Sequence, residues 1–155
     1  RVAGAALLSP RADFDDWASR PERLMAHSHE VGVIKTAAYP TDFASWKKEL
    51  AQIRHALRDA KRAATCLGFG PRFLHSTGQA YKGGPNTALA FVIMSDEATT
   101  TDIPEAGYSF ALLKQAQALG DAETLAAHKR RVVRVHLEAG ATIGDLAAVF
   151  AEALR

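Results

Sequence analysis

Residues 70–86 concentrate side chains that can do chemistry in one short stretch. This stretch supplies an imidazole, two hydroxyls, a carboxamide, a phenol and an ammonium, from His75, Ser76, Thr77, Gln79, Tyr81 and Lys82. Four glycines lie among them, and glycine lets a backbone turn sharply or approach a ligand closely. This combination of proton-transfer groups, hydrogen-bonding groups and a cation is typical of a loop that binds a polar ligand.

Each of these residues also has a structural interpretation. His75 can transfer a proton or hydrogen-bond within the loop, and Gln79 can donate to ligand hydroxyls or occupy a turn. Lys82 can contact an anion or lie free at the surface. Other candidates for ligand binding also suit caps or tight turns, namely Ser76, Thr77, Gly78, Gly83 and Gly84.

The chain around this stretch alternates apolar runs with amphipathic segments. Apolar runs predict strands over residues 2–8, 31–39, 88–94 and 131–137, and a strand that ends at Phe73-Leu74. Helices are predicted over residues 13–27, 43–57, 109–120 and 142–154, with a further turn from 121 to 125. Ser109 and Thr142 are the predicted caps of the last two helices, and the second forms a capping box with Asp145.

Alternating strands and helices favour parallel pairing with helices on both faces of the sheet. We therefore predict one α/β domain over residues 1–155, a three-layer doubly wound sandwich with a mainly parallel sheet. Ligands bind at strand ends in such sheets, so residues 70–86 are expected to line a ligand site.

The composition argues against several classes of function. The net charge of +2 gives no reason to expect nucleic acid binding, and we interpret the basic cluster at 128–131 as a solvated helix end. The apolar runs fall short of the ~20 residues that span a bilayer. Cys66 is the single cysteine, which excludes an internal disulfide and favours the cytoplasm. His27 and His29 are not followed by convergent ligands, so we predict no metal site.

Two blocks of sequence resemble the glucose-6-phosphate isomerase part of bacterial bifunctional transaldolase/phosphoglucose isomerases. The first block is LGFGPRFLHSTGQ at 67–79 with KGGPNT at 82–87, and the second covers 108–137 with Lys114 and RRVVRVHL at 130–137. The resemblance implies a sugar isomerase (SIS) domain, the second of two in such enzymes, that follows a first isomerase domain. The start at Arg1 agrees with a C-terminal piece of a longer chain, which would be inactive alone.

The resemblance also implies a reaction and its residues. Glucose 6-phosphate and fructose 6-phosphate would interconvert by proton transfer through an enediol, without metal or cofactor. Lys114 matches a lysine that assists ring opening, and His75 is a candidate proton-transfer group. Tyr81 lies where the family carries a histidine, and its ordinary pKa near ~10 makes it a weak substitute near neutral pH. The catalytic carboxylate is unassigned, although Glu49 lies on the upstream helix.

Two other functions remain open at this stage. The chain could be a sugar-phosphate-binding module without activity, which the tyrosine at position 81 favours. It could also be a dimerisation domain in a homo-oligomer, because the helix with Phe43 and the last helix both carry apolar faces.

Overall fold

The computed structural model describes residues 5–8, 33–39, 43–76, 78–97 and 99–155. Side chains are described from residue 44 onwards, except those of Leu74 and His75. The helix predicted over 13–27, the two histidines within and after it, and Thr77 lie outside the described residues.

Within the described residues, five strands form one sheet, and four of them are parallel. In chain order the elements are β1 (Ala5–Leu8), β2 (Val33–Tyr39), α1 (Phe43–Lys61), β3 (Ala64–Phe69), α2 (Gln79–Gly83), β4 (Ala88–Ser95), α3 (Phe110–Ala127), β5 (Arg131–Leu137) and α4 (Ile143–Ala153). The order across the sheet is β1-β5-β4-β2-β3, with β1 antiparallel at one edge. The α/β class and the mainly parallel sheet are therefore confirmed.

Helices cover both faces of the sheet, because the central strands are apolar on both sides. On one face, α1 and α4 enclose a core with alternate residues of β4 and β5: Trp46, Leu50, Ile53, Leu57, Leu89, Phe91, Ile93, Val133, Val135, Leu137, Ile143, Leu146 and Phe150. On the other face, α2 and α3 form a second core with the remaining alternate residues of β4 and β5. The buried residues of this core are Tyr81, Ala90, Val92, Met94, Ala118, Ala122, Leu125 and Val132. The spacing of three and four in α1 and the apolar stripe of α4 thus predicted the correct buried faces.

Both predicted helix caps that fall within the described residues are present. The Ser109 Oγ accepts a hydrogen bond from the Leu112 backbone amide at 3.2 Å. Thr142 and Asp145 form the reciprocal capping box, and the hydrogen bonds from Thr142 lower the pKa of the Asp145 carboxyl.

The strand predicted to end at Phe73-Leu74 is wrong in position. The strand is β3, which ends at Phe69, and residues 72–75 form a 3₁₀ helix. Pro71 lacks a backbone N–H and cannot continue a ladder, so the strand stops before it. Phe73 then folds back over the strand, since a Cβ added at Gly68 would overlap its ring.

The predicted break near Gly120 is also wrong, because α3 runs without interruption from Phe110 to Ala127. Glycine costs a helix roughly 1 kcal/mol relative to alanine. Burial of Ala118, Asp121, Ala122 and Leu125 on both sides of this position holds the helix together. Tertiary packing therefore outweighs the local preference of one residue.

We expect Gly120→Ala to raise the free energy of unfolding by roughly 0.5–1 kcal/mol. The position is exposed, and a Cβ there meets no atom within 4 Å. Gly140→Ala is the matched control, because its φ of +88° is unfavourable for alanine and the variant should lose stability. Urea denaturation of both variants measures the difference, and a destabilised Gly120→Ala variant would contradict this account.

Candidate functional site

The strand order identifies one position in the sheet that suits a ligand site. From β2 the chain crosses to β3 on one side and then returns to β4 on the other side. Such a change of direction leaves a crevice beyond the carboxyl ends of the adjacent strands β2 and β4. We call the edge where β2–β5 end the carboxyl edge, and the edge where they begin the amino edge. Asp96 and Glu97 follow β4 directly at the carboxyl edge.

Glu97 forms an ion pair with Lys114 at the carboxyl edge. The carboxylate Oε1 contacts the ammonium Nζ, and the two side chains are only 16% and 15% exposed. Lys114 lies in the second turn of α3, close to the helix N-terminus, so the fold brings together residues 17 positions apart. Partial burial strengthens this interaction relative to a pair in open water.

Asp96 forms a second pair at the same edge. His136, near the end of β5, has its Nε2 2.8 Å from the Asp96 Oδ1. An ionised carboxylate only accepts hydrogen bonds, so the Nε2 carries the proton in this contact. Asp96 and Glu97 are consecutive in the chain, so neighbouring residues form an imidazole–carboxylate pair and an ammonium–carboxylate pair at the carboxyl edge.

These four groups can support acid–base chemistry. A carboxylate can remove a proton from carbon or oxygen, and an adjacent ammonium can stabilise the negative charge that develops. A histidine that is oriented by a carboxylate can donate or accept a second proton. No group of three or more metal-ligating side chains is found within the part of the chain that the structure describes.

The described residues between 70 and 86 contain more regular secondary structure than the predicted loop. They include the 3₁₀ helix over 72–75 and the five-residue helix α2. The exposed Ser76 directs its hydroxyl to the backbone oxygens of Arg72 and Phe73, at 3.3 and 3.1 Å. The side chain of His75 is not described, so its predicted role stays a prediction.

Tyr81 lies in the protein core. Its side chain is packed among the residues of the α3 face, and its ring meets the ring of Phe73 edge-on at 5.1 Å. Burial raises the pKa of the Tyr81 phenol, and the nearby Cys66 thiol adds to this effect. These features favour a packing role and make the phenol unsuited to proton transfer near neutral pH.

Lys82 is engaged by a carboxylate of the protein itself. Its Nζ lies 2.6 Å from the Oδ1 of Asp121, with side-chain exposures of 13% and 4%. The Arg130 guanidinium also donates two hydrogen bonds to the Lys82 backbone oxygen. Since Arg130 immediately precedes β5, Lys82 lies toward the amino edge, away from Lys114. The pairing favours a structural role over the predicted anion contact.

The other predicted binding residues belong to the helix α2 and its ends. Gly78 is the buried N-terminal cap residue, and Gln79 is exposed in the first turn. A Cβ at Gly84 would lie 2.5 Å from the Ala80 backbone oxygen, whereas a Cβ at Gly83 would meet nothing within 4 Å. Close backbone approach therefore requires glycine at position 84 but not at 83.

Sequence reasoning missed Asp96 and Glu97. The signal for them was present, because two acidic residues directly follow a strand that is apolar from Ala88 to Met94. Glu49, the carboxylate considered from the sequence, lies on α1. That helix packs on the face of the sheet opposite to α3, which carries Lys114.

Comparison with known proteins bears on the fold alone. No protein-family model matches the chain, and no curated protein matches it. Among solved structures, it is similar to a hypothetical protein from Thermus thermophilus, with a TM-score of 0.69 and 16% sequence identity. The match covers 89% of this chain and 38% of that protein, so the chain spans well under half of its neighbour.

None of the described helices is both long enough and apolar enough to span a membrane.

Proposed function

We propose that this chain is the C-terminal sugar isomerase domain of a cytoplasmic glucose-6-phosphate isomerase. Its substrate is a hexose 6-phosphate, and a preceding isomerase domain of the same longer chain completes the active site. The observation that carries the proposal is the Glu97–Lys114 pair at the carboxyl edge of the sheet. Lys114 was a candidate from the sequence resemblance, and Glu97 supplies the carboxylate that was then unassigned.

The chemistry of the pair suits interconversion of an aldose and a ketose. Glu97 would remove the proton from C2 of the open-chain aldose and return it to C1. Lys114 would stabilise the enediolate oxygen, which bears negative charge at that moment. His136, oriented by Asp96, would serve proton exchange on the sugar oxygens. This scheme uses acid–base and electrostatic catalysis by protein side chains.

Deuterium incorporation tests the proposal. The full-length gene product that contains this chain is incubated with fructose 6-phosphate in D₂O, and the products are followed by NMR. An enediol route should form glucose 6-phosphate with deuterium at C2. Formation of neither glucose 6-phosphate nor a deuterated sugar would overturn the isomerase proposal.

The burial of Tyr81 supports a second candidate, a sugar-phosphate-binding module without activity. The family histidine is replaced by a phenol that lies in the core, so one proton-transfer group is lost. Calorimetry with 6-phosphogluconate, which resembles the open-chain substrate, separates the two candidates. Binding by a protein that shows no turnover would favour the module, and absence of binding at millimolar ligand would contradict both.

A further inference from the structure

Four large apolar side chains are exposed in the part of the chain that the structure describes, and all four lie on or directly beside α3. They are Tyr108, Phe110, Leu112 and Leu119, and the exposed fraction of Leu112 reaches 56%. The apolar faces of α1 and α4, by contrast, are buried in the core. Clustered apolar side chains at a protein surface mark contact sites more often than isolated ones do. The helix α3 is therefore the described element that presents apolar surface to a partner.

Two of these side chains share one face of α3. Leu112, Ala116 and Leu119 follow each other at intervals of four and three, so they form one stripe along the helix, and all three are exposed. We call this stripe the outer face of α3. The opposite side of the helix is buried against the sheet through residues such as Ala122 and Leu125. A helix that is apolar on two opposite sides is typical of one that packs between two partners.

The two ends of α3 carry exposed groups of opposite character, acidic at one end and basic at the other. At the N-terminal end, Asp102 pairs through the backbone with Ser109, which caps the helix, and Glu105 lies in the loop between them. At the C-terminal end, His128 is the cap residue and Lys129 follows it. A second α3 that runs antiparallel to the first would bring each acidic end beside a basic end. It would also align the two helix dipoles favourably.

We infer that two copies of this chain associate through the outer face of α3, with the two helices antiparallel about a two-fold axis near Ala116. In this arrangement Leu112 packs against the partner's Leu119, and Leu119 packs against the partner's Leu112, as two-fold symmetry requires. The small side chain of Ala116 at the centre lets the two helices approach closely. A shallow crossing of about 20°, which is common for packed helices, keeps both charged ends in contact.

This association leaves the candidate functional site uncovered. Residues two positions apart on an α-helix point in nearly opposite directions, since each residue turns the chain by about 100°. Lys114 is therefore directed away from the outer face that carries Leu112, in agreement with its contact to Glu97. The inference does not depend on the isomerase activity proposed above, because it concerns the surface of α3 alone.

Sedimentation equilibrium of the full-length protein that contains this chain tests the association. The wild type should be a dimer at micromolar concentration. Leu112→Glu should weaken dimerisation about a hundredfold or more, because it places a charge in the apolar contact twice per dimer. Ala148→Glu is the matched control, since it adds the same charge at an exposed position of α4 and should leave dimerisation unchanged.

A charge exchange tests the antiparallel arrangement and distinguishes lost association from misfolding. Leu119→Lys alone should weaken dimerisation, as Leu112→Glu does. The double variant Leu112→Glu/Leu119→Lys should regain much of the lost affinity, because each new glutamate then faces a new lysine of the other copy. Single variants that dimerise as tightly as the wild type would overturn the inference, and so would a double variant that dimerises no better than either single variant.

Zero-length cross-linking provides an independent readout. A carbodiimide, which joins a carboxylate to an amine, should couple Asp102 or Glu105 to Lys129 in the dimer. The 18 residues of α3 separate these groups by roughly 27 Å within one copy, so the coupling forms only between two copies. A dimer without this product would contradict the antiparallel arrangement. A monomeric full-length protein would assign the outer face of α3 to another part of the longer chain and would overturn the inference.

Discussion

Lys82→Met should lower the free energy of unfolding by about 3–5 kcal/mol, the usual cost of removing one partner of a buried ion pair. Asp121 is 4% exposed in its side chain, so its carboxylate would remain in the core without the ammonium 2.6 Å away. The same ion pair joins α2 to α3, and Arg130 adds two hydrogen bonds to the Lys82 backbone. Urea denaturation followed by circular dichroism measures the loss.

A double variant distinguishes the stability that comes from the ion pair from the stability that comes from packing of the two side chains. In Lys82→Met/Asp121→Leu neither charge of this pair remains, so no unpaired carboxylate is buried there and most of the lost stability should return. Arg58→Met breaks an exposed pair with Asp59 and should change stability little. If Lys82→Met were as stable as Arg58→Met, the Lys82–Asp121 contact would not contribute to the fold, and the predicted anion contact at Lys82 would regain support.

Glu97→Gln should lower kcat for fructose 6-phosphate isomerisation by about 10²–10⁴-fold in the full-length protein, which is the range for loss of a general base. Glutamine keeps the size of the side chain but cannot accept a proton from carbon. The side chain still contacts Lys114, so the local structure should persist. A coupled assay for glucose 6-phosphate gives kcat and KM separately.

The matched control and the binding data distinguish catalysis from structure. Asp59→Asn makes the same chemical change in an exposed ion pair and should leave kcat unchanged. Affinity for 6-phosphogluconate should change far less than kcat in Glu97→Gln, because a general base acts mainly in the transition state. Unchanged kcat in Glu97→Gln would exclude Glu97 as the base and remove the observation on which the proposed function depends.

Local sequence patterns predicted most of the described secondary structure. The apolar spacing in α1 identified its buried face, and the Thr142–Asp145 capping box marked the start of α4. These features depend on residues within one or two turns of each other, so they are visible without a fold. The error at Gly120 arose where packing outweighed a local preference, whereas at Phe73-Leu74 the local effect of Pro71 on the strand was missed.

The candidate site could be predicted only in part. Lys114 was a candidate from the sequence, but its partner Glu97 was not, because the contact depends on how α3 packs over the end of β4. The same limit applies to Tyr81 and Lys82, which were expected in a ligand loop. Tyr81 instead packs in the core, and Lys82 pairs with a residue 39 positions away.

The sequence by itself determined the class of the fold, through the alternation of apolar strands with amphipathic helices, and it determined which faces of α1 and α4 are buried. Only the tertiary structure decided which polar side chains meet. Those contacts form between residues far apart in the chain, and the crossing of helices over the parallel sheet determines their distances. The tertiary structure therefore pairs Lys82 with the buried Asp121 toward the amino edge, and it pairs Lys114 with Glu97 at the carboxyl edge.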